Sequence, residues 1–153
     1  MELYRRPITI LMADDDEDDC QLTKEAWEGN ELANDLRFVK DGEELLDYLE
    51  HRGQYSDPAD SPSPGLILLD LNMPRKDGRE ALQEIKASPE LRRIPIVVLT
   101  TSKAEEDIIR SYDLGASSYI TKPVTFEGLV ETVQHLEQYW FAAVELPATP
   151  LAT

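Results

Sequence analysis

The sequence predicts an open, doubly wound α/β fold, a (βα)5 unit in which five parallel strands alternate with five helices. Two observations support this fold class. Five short apolar segments recur along the chain, and the stretches between them carry apolar residues at helical spacing. Several of the segments are almost continuously apolar, which is typical of strands buried on both faces of a parallel sheet. The order β-α, repeated five times, therefore predicts right-handed crossovers and helices on both faces of the sheet.

The predicted strands are short and rich in Ile, Leu and Val. In chain order they are Ile8 to Met12, Leu36 to Val39, Leu66 to Leu69, Ile94 to Leu99, and Ser118 to Ile120. The helices between them are indicated by groups of apolar residues that fall on one helical face. These groups are Leu22, Ala26 and Trp27; Leu45, Leu46 and Leu49; Ala81, Leu82 and Ile85; and Ile108, Ile109 and Tyr112. Because the strands are parallel, their carboxyl ends meet at one edge of the sheet, where open α/β folds bind ligands.

One segment, between the second helix and the third strand, departs from this alternation. His51 to Gly65 contains three prolines together with Ser, Asp and Gly, and it is predicted to be an exposed loop. A length of 153 residues with 41% hydrophobic content supports one sizeable core and not two domains. We therefore expect a single domain over residues 6–144, followed by a flexible tail over residues 145–153.

The last helix is predicted to be unusually long. It begins after Thr125, a suitable N-cap, and continues from Phe126 to Val144, about 28 Å at the usual rise per residue. This exceeds what a small sheet needs, so we expect a homodimer through the helix, closed two-fold pairing being the commonest solution. The expected interface residues are Leu136, Tyr139, Trp140, Phe141 and Val144. The alternative is an extension that folds back on its own domain.

Composition disfavours several classes of function. A formal net charge of −16 opposes binding to nucleic acids and to anionic membranes. The single cysteine, Cys20, allows no disulfide within the chain and no four-thiolate zinc site. No apolar run approaches the roughly 20 residues that span a bilayer, and Met1 to Pro7 is not followed by the apolar stretch of a signal peptide. We therefore expect a cytoplasmic protein that binds cations or basic partners and neither nucleic acid nor membrane.

Acidic residues stand at the carboxyl ends of two predicted strands. Asp14 and Asp15 follow the first strand closely, and Asp70 follows four consecutive apolar residues of the third. In the flavodoxin-like strand order 2-1-3-4-5 the first and third strands are neighbours, so the three carboxylates can converge. Carboxylate oxygens are suitable ligands for Mg²⁺ or Mn²⁺. The group contains no His or Cys, the ligands that would favour zinc. Taken alone, the acidic run from Asp14 to Asp19 would be typical of a solvent-exposed helix N-terminus. Its position at the carboxyl end of the first strand favours a metal site instead.

A hydroxyl and an ammonium group stand at the ends of the last two strands. Thr100 follows the fourth apolar segment, and Lys122 closely follows the fifth. Each residue alone is ordinary, but both belong to the edge of the sheet that carries the carboxylates. There they can hold the oxygens of a phosphoryl group. Together these residues indicate a site of phosphoryl transfer.

Four motifs carry these residues, in a fixed order and spacing. They are Ile10 to Asp16 (ILMADDD), Leu66 to Gly78 (LILLDLNMPRKDG), Val97 to Ser102 (VVLTTS) and Gly115 to Pro123 (GASSYITKP). Through them the chain resembles the receiver domain of two-component response regulators. The resemblance covers Ile8 to Leu136, nearly the whole chain, and four motifs together are far more specific than any one of them.

The resemblance implies a role for each residue of the site. The implied roles are magnesium ligands at Asp14, Asp15, Asp70 and, through its carbonyl, Asn72; the phosphoacceptor at Asp70; phosphoryl contacts at Thr100 and Lys122; and a switch aromatic at Tyr119. Phosphorylation would let the Thr100 hydroxyl draw the following loop inward, so that Tyr119 turns into the vacated space. The surface formed by the fourth helix, the fifth strand and the fifth helix would then change.

The resemblance therefore implies a stand-alone response regulator that accepts a phosphoryl group from a sensor histidine kinase. Its only reactions would be Mg²⁺-dependent self-phosphorylation and autodephosphorylation, so it is not expected to be an enzyme. Asn72-Met73-Pro74, the proline-rich segment and the Tyr139-Trp140 extension are similar to small cyanobacterial regulators paired with phytochrome kinases. A bacteriophytochrome is thus one candidate for the kinase, and the sequence does not identify the downstream target.

Two other functions remain as alternatives. A phosphatase of the haloacid dehalogenase type also uses a strand-end aspartate and Mg²⁺, but it needs a second acid where this chain has Asn72. A phosphorylation-independent scaffold would have a degenerate site, whereas Asp70, Thr100 and Lys122 form a complete set.

Overall fold

Five parallel strands form one sheet in the computed structural model of the protein, which describes residues 8–28 and 35–143, the last three of these by their backbone alone. The strands are β1 (Thr9–Ala13), β2 (Asp35–Val39), β3 (Leu66–Leu69), β4 (Ile96–Thr100) and β5 (Ser118–Thr121). Their order is β2-β1-β3-β4-β5, and each neighbouring pair is parallel. The predicted fold class and strand order are confirmed.

The strands reach further towards the carboxyl edge than the apolar pattern predicts. β1, β4 and β5 each extend one residue beyond the predicted end, to Ala13, Thr100 and Thr121. β4 also begins later, at Ile96, because Pro95 has no N–H to donate to a ladder. The hydrogen-bonded ladder therefore continues up to the residues that carry the candidate chemistry.

The helices are α1 (Glu17–Trp27), α2 (Gly42–Glu50), α3 (Gly78–Ala87), α4 (Glu105–Leu114) and α5 (Phe126–Leu136). Four of them begin at a side chain that accepts N–H groups of the first turn, and these N-caps are Asp16, Asp41, Asp77 and the predicted Thr125. Capping accounts for part of the acidic run after β1, since the Asp16 carboxylate accepts from the N–H groups of Asp18 and Asp19. Across residues 8–28 and 35–143, none of the helices has the length and apolar character of a membrane span.

The sheet separates two apolar layers. Successive strand residues point to opposite faces, so Leu11 and Ala13 pack with α2 and α3, while Ile10 and Met12 pack with α1 and α5. The α2 and α3 layer contains Leu45, Leu46, Leu49, Ala81, Leu82 and Ile85, and the α1 and α5 layer contains Leu22, Trp27, Leu129, Val133, Leu136 and Trp140. Both tryptophans are therefore core residues.

α4 packs differently from the other helices. Its apolar residues Ile109 and Tyr112 are 53% and 48% exposed, and its buried residue is Ser111. Helical spacing predicts the helix correctly, but the apolar group it contains does not form a core face. The side of α4 that faces α3 instead carries an ion pair between Asp107 and Arg79.

The segment predicted to be an exposed loop is folded. Two 3-10 turns, Gly53–Tyr55 and Pro58–Asp60, lead to Ser61, which is fully buried. The Ser61 hydroxyl lies 2.9 Å from Nδ1 of His51, so the start of the segment is hydrogen-bonded to a residue near its other end. Composition indicated the turns, but the prediction of exposure was wrong at Ser61, Pro64 and Gly65, which are buried. At Ser61 a hydrogen-bonded hydroxyl can be buried at little cost.

The last helix changes its geometry after α5. The chain continues as a π-helix, Glu137–Ala143, and not as the single regular helix predicted up to Val144. The indole N–H of Trp27 donates to the carbonyl of Val133 at 2.7 Å. The same carbonyl accepts the N–H of Glu137, the first residue of the π-helix, so the change in geometry begins at this shared acceptor. A side chain inserted into a helical ladder disturbs its repeat. Val144 and the predicted tail over residues 145–153 lie outside the described residues.

Candidate functional site

Three carboxylates meet at the carboxyl edge of the sheet. Asp14 and Asp15 follow β1, and Asp70 follows the neighbouring strand β3. Backbone hydrogen bonds of 3.0 Å hold both turns, from the N–H of Asp14 to the carbonyl of Val39 and from the N–H of Asp70 to the carbonyl of Ala13. One oxygen of each carboxylate lies within 4.8 Å of an oxygen of the other two. The structure thus brings the three acids together as the strand order predicts.

The three acids differ in their surroundings. Asp14 and Asp70 are buried, whereas Asp15 is exposed. Burial raises the pKa of Asp14 to about 6, although the hydrogen bond from Lys122 acts in the opposite direction. The negative charge of Asp14 is therefore less stable here than in water, and a cation at this position would stabilise it.

The ammonium group of Lys122 lies among these acids. Lys122 follows β5, where its N–H donates to the carbonyl of Thr100 at 2.7 Å. Its Nζ donates to three carboxylates, those of Asp19 at 2.7 Å, Asp14 at 2.8 Å and Asp70 at 3.1 Å. An ammonium group has three hydrogens, so all of them are engaged. Burial alone would lower the pKa of Lys122, but the hydrogen bonds with Asp14 and Asp19 raise it above the ordinary value, and the group stays protonated.

The Asp70 carboxylate is held at both oxygens. The Thr100 hydroxyl donates to Oδ1 at 2.7 Å, and the N–H of Asn72 donates to the same oxygen at 3.0 Å. Lys122 donates to Oδ2. Thr100 is fully buried at the end of β4, so its hydroxyl has a fixed direction. The carboxylate is therefore oriented before any ligand arrives.

The donor set fits a divalent cation with a preference for oxygen. Asp14, Asp15 and Asp70 supply carboxylate oxygens close enough to share one ion. Burial raises the pKa of Asp14 because its charge is poorly solvated, and such an ion would balance that charge. Mg²⁺ and Mn²⁺ are bound in proteins by a few carboxylates, with water completing the shell. The sequence-based choice of these metals over zinc agrees with this donor set.

A hydrogen-bonded loop joins the site to β5. The hydroxyl of Tyr119, a half-buried residue, donates to the carbonyl of Ser102 at 3.0 Å, and the Ser102 N–H lies 3.4 Å from the Thr100 hydroxyl. The Ser102 hydroxyl donates to Asp107 of α4 at 2.6 Å, and Arg79 of α3 binds the same carboxylate. Tyr119 is thus connected to Asp70 through Ser102 of the loop and Thr100 at the end of β4.

Sequence reasoning missed four residues of this neighbourhood, which are Asp19, Arg79, Ser102 and Asp107. Asp19 had a usable signal, because an N-cap at Asp16 places it in the first turn of α1 beside the end of β1. The other three had none, since their partners lie on different elements.

The residues predicted for a dimer interface lie away from the carboxylates. Leu136 and Trp140 are buried in the α1 and α5 layer. Tyr139 is 59% exposed, and its ring meets that of Trp140 edge to face at 5.4 Å. The side chain of Phe141 and the whole of Val144 lie outside the described residues.

Comparison with known proteins gives a consistent result. The family model "Response regulator receiver domain" matches residues 10–134. The chain is similar to the response regulator Rcp1 of Synechocystis sp., with 44% identity over 142 residues, which cover 93% of this chain and 95% of that protein. The crystal structure of the Mn²⁺-bound form of Rcp1 superimposes with a TM-score of 0.88 and covers 93% of this chain and 100% of that one.

Two further solved structures are similar. The phosphorylated cyanobacterial phytochrome response regulator RcpA is 42% identical, with a TM-score of 0.87 over 93% of this chain and 99% of that one. The bacteriophytochrome response regulator RtBRR is 39% identical, with a TM-score of 0.70 over 92% of this chain and 84% of that one. With a family model over most of its length and these relatives over nearly all of it, the chain belongs to the response regulator receiver domains, the phosphoacceptor modules of two-component signalling.

Proposed function

We propose that the chain is a single-domain response regulator in which Asp70 accepts a phosphoryl group from a sensor histidine kinase. One observation carries the proposal. The buried Asp70 carboxylate lies at a strand end, oriented by the Thr100 hydroxyl and the Asn72 N–H and touched by the Lys122 ammonium group. These donors hold a carboxylate in one orientation and place positive charge where a phosphoryl group would arrive.

The transfer exchanges one bond for another. An oxygen of Asp70 forms a bond to phosphorus while the bond between phosphorus and the imidazole nitrogen of the donor histidine breaks, and the imidazole leaves. Lys122 can turn a hydrogen from a carboxylate to an oxygen of the incoming group, since its Nζ is already 3.1 Å from Asp70. Thr100 can donate to a second oxygen from its fixed position on β4.

Asp14, Asp15, Asp70 and the carbonyl of Asn72 are the residues that would hold Mg²⁺. The ion, when bound, neutralises charge on the phosphoryl oxygens during transfer. The three carboxylates lie within reach of one ion, and the similar protein Rcp1 has been crystallised with Mn²⁺. Asp14 and Asp15 would bind the ion without being phosphorylated themselves.

The signal would pass from Asp70 through the loop after β4. The Thr100 hydroxyl follows the phosphoryl oxygens, the loop carrying Ser102 moves with it, and Tyr119 loses or changes its bond to the Ser102 carbonyl. This alters the surface formed by α4, β5 and α5. The present bonds between Thr100, Ser102 and Tyr119 support this path.

A bacteriophytochrome is the kinase that the similarities favour, because RcpA and RtBRR are phytochrome and bacteriophytochrome response regulators by name. A cytoplasmic location would suit such a partner. The phosphatase alternative is disfavoured by Asn72, and the scaffold alternative by the intact set of Asp70, Thr100 and Lys122. A homodimer through the π-helix is supported by the exposed ring of Tyr139.

Incubation with acetyl phosphate and Mg²⁺, followed by intact-mass measurement, tests the proposal. We expect one phosphoryl adduct that disappears with a chelator and is absent from Asp70→Asn. Asp113→Asn, on the exposed side of α4, is the matched control and should keep the adduct. An adduct that persists in Asp70→Asn, or one that needs no metal, would refute the assignment. Faster transfer from an autophosphorylated bacteriophytochrome kinase than from acetyl phosphate would support the expected partner.

A further inference from the structure

The ammonium group of Lys122 bonds a carboxylate that does not belong to the metal site. In the part of the chain that the structure describes, three carboxylates lie close enough to share one ion, those of Asp14, Asp15 and Asp70. Lys122 donates to two of these, Asp14 and Asp70, and its third hydrogen goes to Asp19 of α1. Asp19 therefore meets the site through the lysine and not as a ligand of the ion.

The position of Asp19 is fixed by α1. Its N–H donates to the capping carboxylate of Asp16 at 3.2 Å, and its carbonyl accepts the hydroxyl of Thr23 at 2.9 Å. Its side chain is 18% exposed, so solvent screens the bond to Lys122 only in part. That bond, at 2.7 Å, is the shortest of the three that Lys122 makes, and the bond to Asp70, at 3.1 Å, is the longest. The ammonium group thus lies closer to the carboxylate of Asp19 than to that of Asp70.

We infer that Asp19 is a positioning residue that competes with a phosphoryl group for the ammonium group of Lys122, and so weakens phosphoryl binding at Asp70. The inference rests on the proposed function. An ammonium group has three hydrogens, and Lys122 gives all of them to carboxylates. An oxygen of a phosphoryl group is a further acceptor, so it can bond Lys122 only if it displaces one of these carboxylates or shares its hydrogen.

The charge of Asp19 adds to this competition. Asp19 and Asp70 bond the same nitrogen atom, so their carboxylates lie within about 6 Å of each other. With a divalent ion bound, the ion and Lys122 would carry three positive charges against the four formal negative charges of the surrounding carboxylates, which are those of Asp14, Asp15, Asp19 and Asp70. A phosphoryl group adds negative charge to a site that is already negative. This cost does not depend on how the loop after β4 is arranged.

Lys122 keeps its other supports when Asp19 is removed. Its backbone N–H donates to the carbonyl of Thr100 at 2.7 Å, and its Nζ still donates to Asp14 and Asp70. Loss of the bond to Asp19 should therefore free one hydrogen without releasing the lysine side chain from the site.

Binding of beryllofluoride, an analogue of the phosphoryl group, tests the inference in the presence of Mg²⁺. Asp19→Asn removes the charge, and Asp19→Ala removes both the charge and the acceptor. Both variants should bind beryllofluoride about three- to tenfold more tightly than the wild type, as expected for one unit charge at about 6 Å in an effective dielectric between that of water and that of a protein surface. Asp19→Glu keeps the charge and should stay close to the wild type.

A second readout needs neither metal nor phosphoryl analogue. The side-chain ammonium resonance of Lys122 in the metal-free protein should move in Asp19→Ala, because one of its three bonds is lost. Asp18→Asn is the matched control, since Asp18 is an exposed residue of the same helical turn and loses the same charge. In this control the beryllofluoride affinity and the Lys122 resonance should match those of the wild type. Asp19→Asn, which has nearly the shape of the native residue, serves if Asp19→Ala does not fold.

Affinities of Asp19→Asn and Asp19→Ala that match that of Asp18→Asn would overturn the inference. Weaker binding would overturn it as well, because Asp19 would then hold Lys122 in place for the phosphoryl group. Failure of the proposed function would look different, because the wild-type protein itself would then form no adduct at Asp70.

Discussion

Replacing Asp14 with asparagine is expected to stabilise the metal-free protein. Asp14 is 3% exposed, and burial raises its pKa from an ordinary 3.8 to about 6. A carboxylate whose pKa is higher in the folded protein than in the unfolded chain destabilises the folded protein when it is charged. At about 1.4 kcal/mol per pH unit, the raised pKa lowers the free energy of unfolding by about 3 kcal/mol above pH 7. Asparagine has a similar shape, carries no charge and can still accept a hydrogen bond from Lys122.

Urea denaturation at pH 7.5 in the presence of a chelator measures this effect. We expect Asp14→Asn to unfold at higher urea concentration than the wild type, with a free energy of unfolding about 2–3 kcal/mol larger. Asp15→Asn is the control, because an exposed carboxylate should change the free energy of unfolding by less than about 0.5 kcal/mol. A destabilised Asp14→Asn, or one indistinguishable from Asp15→Asn, would refute the reasoning.

Addition of Mg²⁺ should remove most of this difference in stability. An ion that binds only the folded state adds about 2.7 kcal/mol at one hundred times its dissociation constant. The wild type should gain this stability and Asp14→Asn much less of it, because the variant has lost one of three carboxylates. An equal gain in both proteins would mean that the ion binds elsewhere.

Three further predictions concern other parts of the fold. Gly78→Ala should destabilise the protein by about 3 kcal/mol or more, because a Cβ at this position would overlap the backbone carbonyl of Asp70. The same variant should form no phosphoryl adduct. Thermal unfolding at the wild-type temperature would contradict the structure. Trp27→Phe should lower the free energy of unfolding by about 1–2 kcal/mol, since the indole N–H that bonds the Val133 carbonyl is lost, and an unchanged urea midpoint would show that this bond contributes nothing. Tyr139→Ala should weaken the proposed dimer in sedimentation at micromolar concentration, whereas a wild-type monomer at that concentration would exclude the interface.

The carboxyl edge of the sheet was the part of the site most accessible from the sequence. A parallel strand leaves its next residue at that edge, so Asp14 and Asp70 could be placed near one another from the order of the adjacent strands β1 and β3, and Lys122 could be placed at the same edge. Their distances and bonds could not be derived in this way. The sharing of Lys122 by three carboxylates depends on how its long side chain reaches from the end of β5 to the ends of β1 and β3, and on the first turn of α1, which supplies Asp19.

Most strands and helices, and the polar residues at their ends, could be predicted from the chain because these features depend on neighbouring residues in the sequence. Apolar runs identify β3 and β4, and the N-cap at Thr125 identifies the start of α5. The contacts between these elements could not be predicted in this way. Trp27 and Val133, 106 positions apart, mark where α5 becomes a π-helix, and Arg79 and Asp107, 28 positions apart, join α3 to α4. Such contacts form between groups that no local pattern links, so only the packing of distant elements reveals them.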